Sequence, residues 1–159
     1  MSQSVRAAGW RLRPYREEDL EPALTVWERA WRHTLPEIDF AARLPWWRAR
    51  WVNEMLSVGE VLVADDDHGR LAGFLVLTPA TGYIDQIVVD PEQWGGGLAA
   101  RFMEYAKARC PDGLDLHVNQ ANVRALAFYR RHGFVVAATA ENPRSGLPTF
   151  HMRRENQPG

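Results

Sequence analysis

The stretch from Gly82 to Arg109, GYIDQIVVDPEQWGGGLAARFMEYAKAR, constrains the fold more than any other part of the chain. Tyr83 to Asp90 is rich in β-branched residues and ends at Asp90-Pro91, a turn signal, so it reads as a strand. Gly95, Gly96 and Gly97 follow. Leu98, Phe102 and Ala106 then recur every four residues, the stripe of a helix. Three glycines at the mouth of a helix leave backbone N–H groups unpaired within the helix and unobstructed by side chains. Such a site suits phosphate. The stretch therefore predicts a pyrophosphate-bearing cofactor.

The remaining chain supplies a domain around this unit. Its 159 residues are enough for one domain with a proper core, and 46% hydrophobic with 25% charged residues is ordinary for a globular protein. A net charge of −1 gives no footing for a nucleic acid or an anionic membrane as partner. Cys110 stands alone, which excludes an internal disulfide and a multi-cysteine metal site. The opening MSQSVRAAGWRLRP lacks the apolar core of a secretory signal, and no apolar run approaches membrane-spanning length. The expectation is a cytoplasmic protein with no metal. Residues 1–9 read as a flexible leader, 10–155 as a single domain and 156–159 as a tail.

Trp10 to Arg13 reads as a short strand stopped by Pro14. Asp19 is placed to cap a helix through Leu20, Leu24, Trp27 and Trp31, spaced four, three and four. After Pro36, Pro45 opens a second helix with Trp47, Trp51, Met55 and Leu56 on one face, and Gly59 closes it. Val61–Ala64 and Leu71–Leu77 form a hairpin around Asp65-Asp66-Asp67-His68-Gly69. Beyond the glycine stretch, Leu114–Val118 is a strand with Asp115 and His117 opposite its apolar face. Asn122 caps a helix bearing Ala125, Leu126, Phe128 and Tyr129, which Gly133 ends. Phe134–Ala138 and Leu147–Met152 are the last strands. The order β α α β β β α β α β β is that of a mixed α/β layered fold.

Three cofactor readings compete. A P-loop requires Gly-Lys-Ser/Thr, but Leu98 and Ala99 follow Gly97. Gly95, Gly97 and Ala100 fit a dinucleotide fingerprint, yet two hairpin strands precede the unit and too little chain follows it for two βαβαβ halves. The third reading is coenzyme A. Asp90-Pro91-Glu92-Gln93-Trp94-Gly95-Gly96-Gly97-Leu98-Ala99 resembles the cofactor motif of the GNAT superfamily of acyl-CoA-dependent N-acetyltransferases. Leu116-His117-Val118-Asn119-Gln120-Ala121-Asn122, then Ala125 and Phe128-Tyr129-Arg130-Arg131-His132-Gly133-Phe134, resembles its second motif. The resemblance implies a GNAT-like α+β fold: a mixed, mostly antiparallel central sheet of about seven strands, splayed at its central strands and flanked by about four helices. One residue departs from the pattern. Trp94 stands where the family carries Gln or Arg, so backbone amides from Gly95 to Ala99 must supply most of the pyrophosphate contact.

The resemblance further implies direct acetyl transfer from acetyl-CoA to an amine. The amine must lose a proton to attack, since its free pKa is roughly 10. Mapped onto this chain, Ile87, Val88 and Val89 supply backbone groups for the pantetheine arm, and the Val89 N–H also serves the oxyanion. Tyr129 matches the tyrosine that protonates the leaving thiolate, and Asn122 the asparagine that contacts the cofactor. For the base, His117, Asp85 or a water chain all stay open. Tyr83, on the strand face of Asp85, is placed to contact substrate. His33 and His68 read as loop histidines.

Seven tryptophans remain to be explained, six of them between Trp10 and Trp51. Core packing accounts for Trp27, Trp31 and Trp51. Trp46 and Trp47 are adjacent, so a helix points them apart. Trp31 and Trp46 are the candidates for an aromatic wall at the acceptor site, which suits a small-molecule amine. A protein or peptide amine is the rival acceptor, and a non-catalytic acyl-CoA sensor is a rival of another class. A homodimer fits the exposed strand edges expected of such a sheet.

Overall fold

A hairpin and the strand at its edge start the sheet. In the computed structural model, which describes residues 9–155, β1 (Arg11–Pro14) pairs antiparallel with β2 (Glu60–Asp65), and β2 with β3 (Leu71–Thr78). β4 (Tyr83–Val89) follows, then the helix Leu98–Arg109, β5 (Gly113–Asn119), the helix Val123–Arg131, β6 (Val135–Glu141) and β7 (Pro148–Glu155). The seven strands lie in the order β1-β2-β3-β4-β5-β7-β6. β4 and β5 run parallel, in register at Tyr83↔Asp115, while β5–β7 and β7–β6 are antiparallel. This is the mixed, mostly antiparallel sheet with four helices that the family resemblance implies. The proposed leader, apart from Gly9, and the tail lie outside the described residues.

Two compact units divide the chain. The first holds the chain up to Leu77 together with Gln86–Phe102; the second holds Thr78–Asp85 and the chain from Met103 onward.

In the first unit the helix Leu20–Thr34 buries Ala23, Leu24, Val26, Trp27 and Ala30, one face at helical spacing. Asp19 sits at the N-cap as predicted, but its side chain makes no capping bond. It accepts instead from Arg13 at 2.8 Å and from the Arg16 N–H at 2.7 Å, while Arg13 also bonds Asp65 at 2.7 Å. Desolvation would raise the Asp19 carboxyl, but these donors outweigh it and hold it below its ordinary value. The second helix starts at Leu44–Arg50 with proline in its first turn, widens to a π turn over Trp51–Met55 and ends with Leu56–Val58. Trp47, Trp51 and Met55 are buried as predicted, whereas Leu56 is 38% exposed. The spacing of four carries 47, 51 and 55 inward, and the next residue turns out to solvent.

The tryptophans form most of this core. Trp27 stacks on Trp47 with centroids 4.7 Å apart, and Trp51 meets Phe74 edge to face at 5.0 Å. Such contacts add about 0.5–1.5 kcal/mol per pair beyond area burial, so they hold the two helices to the sheet. Trp31 is half-buried and stacks on Phe40 at 5.6 Å. Trp46 is half-exposed, tilted against Trp47 at 6.1 Å.

In the second unit β5 buries Leu114, Leu116 and Val118 and turns Asp115 and His117 to the other face, as the alternation predicts. Asn122 caps the Val123–Arg131 helix by accepting from the Ala125 N–H at 3.2 Å. Gly133, at φ +95°, ends it in the left-handed region that glycine tolerates.

Candidate active site

The turn between β4 and the Leu98–Arg109 helix is braced from within the first unit. Asp90 is buried; its side chain accepts from the Glu92 N–H at 3.0 Å and pairs with Arg29 at 3.1 Å. Pro91–Gln93 forms a short 3₁₀ turn. The Trp10 indole N–H donates to Gln93 Oε1 at 3.1 Å, and the Trp10 ring lies so close under Gly96 that a Cβ there would sit 2.8 Å from it. Gly95 and Gly97 adopt φ of +86° and +96°, and a Cβ on either would project into open space. The Arg101 N–H bonds back to Gly97 O at 3.1 Å, so the helical ladder begins at Gly97. Leu98, Ala99 and Ala100 therefore direct their N–H groups out of the helix mouth with no intrahelical carbonyl to meet them. An open glycine cradle on a helix N-terminus fits a pyrophosphate.

Trp94, the residue out of pattern, has a place in this turn. Its indole N–H donates to Val89 O at 2.8 Å, and its ring meets His33 edge to face at 4.8 Å. His33 is thus not a bare loop histidine but part of the last turn of the Leu20–Thr34 helix, against the turn. Val88 lies with its carbonyl toward β3: a Cβ on Gly73 would meet it at 2.6 Å, and the Asp90 N–H bonds Ala72 O at 2.8 Å. By strand alternation the backbone groups of Ile87 and Val89 point away from β3, and these are the ones placed to pair with an added extended arm. Arg29, Arg32, His33, Pro36 and Pro91 line a cavity of about 460 Å³ beside the turn.

In the second unit a row of polar side chains crosses β4, β5 and β7. Register explains it. Tyr83 stands opposite Asp115, and His117 opposite His151. Diagonal neighbours one step along then come within reach of long side chains. The Tyr83 hydroxyl lies 3.0 Å from His117 Nδ1. The His117 and His151 rings stack at 4.9 Å with an 18° tilt, and His151 Nε2 lies 3.0 Å from Asp115 Oδ2. His117 is exposed on this face; desolvation and His151 push it below the ordinary imidazole value, against the pull of Asp115. Asp85 is half-buried, two residues from Tyr83 on the same strand face.

Tyr129 is half-buried as a residue and packs edge-on to Phe134 at 5.7 Å. Burial, with Tyr83 nearby, raises its hydroxyl well above the ordinary phenol value, so it keeps its proton at neutral pH. Its hydroxyl is therefore available as a proton donor, not as a base, at neutral pH.

A family model described as the acetyltransferase (GNAT) family matches residues 13–134. The chain belongs to that family. It is an acetyl-CoA-dependent N-acetyltransferase, and the dinucleotide and sensor readings fall away. The peptidyl-lysine N-acetyltransferase YjaB of Salmonella typhimurium is 29% identical over 137 residues, covering 86% of this chain and 91% of that protein. A mycothiol acetyltransferase of Clavibacter michiganensis is 40% identical over 84 residues, covering 49% of this chain and 28% of that protein. The PaiA N-acetyltransferase of Thermoplasma acidophilum, solved in complex with coenzyme A, superposes with a TM-score of 0.73 at 20% identity, covering 92% of this chain and 98% of the other. That last likeness is one of fold. Among the described residues no helix is long and apolar enough to cross a membrane.

The sequence singles out Tyr83, His117, Tyr129, Asn122 and the glycines as candidates; it gives no signal for Trp10, Arg29 or His151 at these positions, and reads His33 only as a loop histidine. His151 lies on the same strand face as Arg153, and only the β5–β7 register reveals that it meets His117.

Proposed function

We propose that this enzyme acetylates a primary amine carried on a peptide, the lysine ε-amine, by direct attack within a ternary complex. One observation carries the acceptor class. His117 is exposed on an open sheet face, alongside Tyr83, where a side chain of a bulky partner can reach it. Of the adjacent pair Trp46 and Trp47, Trp47 is buried in the core with Trp27 and Trp51, which leaves only the part-exposed Trp31 and Trp46 for an aromatic wall. The relative that spans most of this chain and is named for peptidyl-lysine acetylation supports the same reading.

In this reading acetyl-CoA supplies the activated acyl carbon. The amides of Gly95 to Ala99, together with the helix N-terminus, hold the pyrophosphate. Ile87 and Val89 pair with the pantetheine arm, and the Val89 N–H serves the oxyanion. The Val88 backbone, which the motif also nominated, is turned toward β3. Trp94 replaces the usual polar contact with a brace on Val89 O. Asn122 holds the helix that carries Tyr129, and Tyr129 gives its proton to the departing sulfur. His117 takes the proton of the amine; Asp85 is the alternative acceptor.

A small-molecule amine is the second reading, favoured by the part-exposed rings of Trp31 and Trp46 and by the mycothiol acetyltransferase likeness. Thiol release from acetyl-CoA, measured on a lysine-containing peptide and on a panel of small amines, separates the two. The peptide should give the higher kcat/KM. Turnover confined to small amines would overturn the peptide reading.

A further inference from the structure

Tyr83, His117, His151 and Asp115 are in continuous contact across three strands of the second unit, and the base role given to His117 uses only one of them. We propose that Tyr83 and His117 remove the amine proton as a pair, Tyr83 touching the nitrogen and His117 taking the proton, while His151, held by Asp115, is a positioning residue that fixes the His117 ring and keeps it unprotonated. This deepens the reading of the acceptor as a primary amine and rests on it.

The geometry sets the direction of transfer. The Tyr83 hydroxyl and His117 Nδ1 are 3.0 Å apart, and a hydroxyl that donates to Nδ1 can accept an N–H on its oxygen. As the C–N bond forms, the amine proton passes to the Tyr83 oxygen and the Tyr83 proton passes to Nδ1. The acyl carbon–sulfur bond breaks, and the sulfur takes the Tyr129 proton. His117 ends with one proton more and Tyr129 with one fewer. His117, which is exposed, gives its extra proton to solvent, and a solvent proton returns to Tyr129 once coenzyme A leaves.

His151 acts through His117. Its ring lies flat on the His117 ring at 4.9 Å, which excludes a direct hydrogen bond between parallel faces but brings any charge on one ring close to the other. Asp115, at 3.0 Å from His151 Nε2, holds the His151 ring in place against His117. A positive His151 opposes protonation of His117 and keeps it ready to accept. The other groups facing this cluster are Asp85 on β4, Tyr129 beside Tyr83, and Arg153 opposite Asp115 on β7. Arg153 is itself bonded to Glu155 at 2.6 Å.

The test is the full chain carrying His151→Gln, which keeps a donor for Asp115 but no titratable charge. Imidazole NMR should show His117 titrating at higher pH than in the wild type. The ratio of variant to wild-type kcat/KM on a lysine peptide cancels the ionisation of the substrate amine. It should fall roughly threefold at about pH 6 and return to near one at about pH 9. A ratio equal at both pH values, or an unmoved His117 titration, overturns the positioning role. Tyr83→Phe should lower kcat about tenfold or more with coenzyme A affinity unchanged; an unchanged kcat overturns the paired transfer. A wild type that acetylates no amine at all would overturn the functional reading itself, and is told apart because the NMR titrations need no substrate.

Discussion

At the glycine turn the chain presents backbone, and its side chains face inward to hold the loop. On the β4–β5–β7 face it presents side chains, and much of the backbone is consumed in the ladders. The turn rests on Trp10 beneath Gly96, Trp94 on the Val89 carbonyl and Arg29 on Asp90. The face rests on strand register, which brings Tyr83 to His117 and His151 to Asp115. A backbone site depends on conformations that only glycine adopts readily, and on bracing from outside the motif. A side-chain site depends on residue identity and on pairing between strands far apart in sequence.

This contrast can be broken at several points. The largest effect belongs to the side chains: Tyr129→Phe should lower kcat about a hundredfold with unchanged coenzyme A affinity, read by thiol release and calorimetry. A kcat within twofold of wild type would remove Tyr129 from the chemistry. Gly97→Ala should do the reverse. A φ of +96° strains any other residue by about 1–3 kcal/mol, although nothing crowds its Cβ. The dissociation constant for coenzyme A should rise about tenfold while kcat at saturation holds. Loss of kcat alone would mean the turn does not bind the cofactor.

Trp94→Phe keeps the ring and removes the N–H to Val89 O, a bond worth about 1 kcal/mol, so coenzyme A affinity should fall about threefold to fivefold. A tighter complex would mean that the indole competes with the cofactor for β4 rather than bracing it. The smallest effect is expected at Trp46→Ala. KM for the amine should rise about twofold to threefold with coenzyme A affinity unchanged, because the ring is half-exposed and only its outer side is available. An unchanged KM would remove Trp46 from the acceptor site.

Much of the fold was legible in local pattern. The stripe Leu98, Phe102, Ala106 is buried, and the alternation through Leu114, Leu116 and Val118 set His117 on the opposite face. Asn122 and Gly133 marked the ends of the helix that carries Tyr129. Leu56 was misplaced because the spacing of four that turns 47, 51 and 55 inward leaves the residue directly after Met55 facing solvent. Asp19 was read as a local cap, whereas the stronger donors of Arg13 reach it from β1. The tryptophans were ambiguous for the same reason: periodicity says which residues share a face, not what covers that face.

By itself the sequence determined the element order, the glycine turn at a helix mouth and the position of Tyr129 on its helix, because these depend on backbone conformation and on spacing within one element. Tertiary structure decided which groups meet across strands and helices. It turned Val88 toward β3, set Trp94 on Val89, sent Trp27, Trp47 and Trp51 into the core, and stacked His151 on His117. Such outcomes depend on register and packing between residues far apart in the chain, 34 positions for Tyr83 and His117 and 83 for Trp10 and Gln93, distances over which a local pattern carries no information.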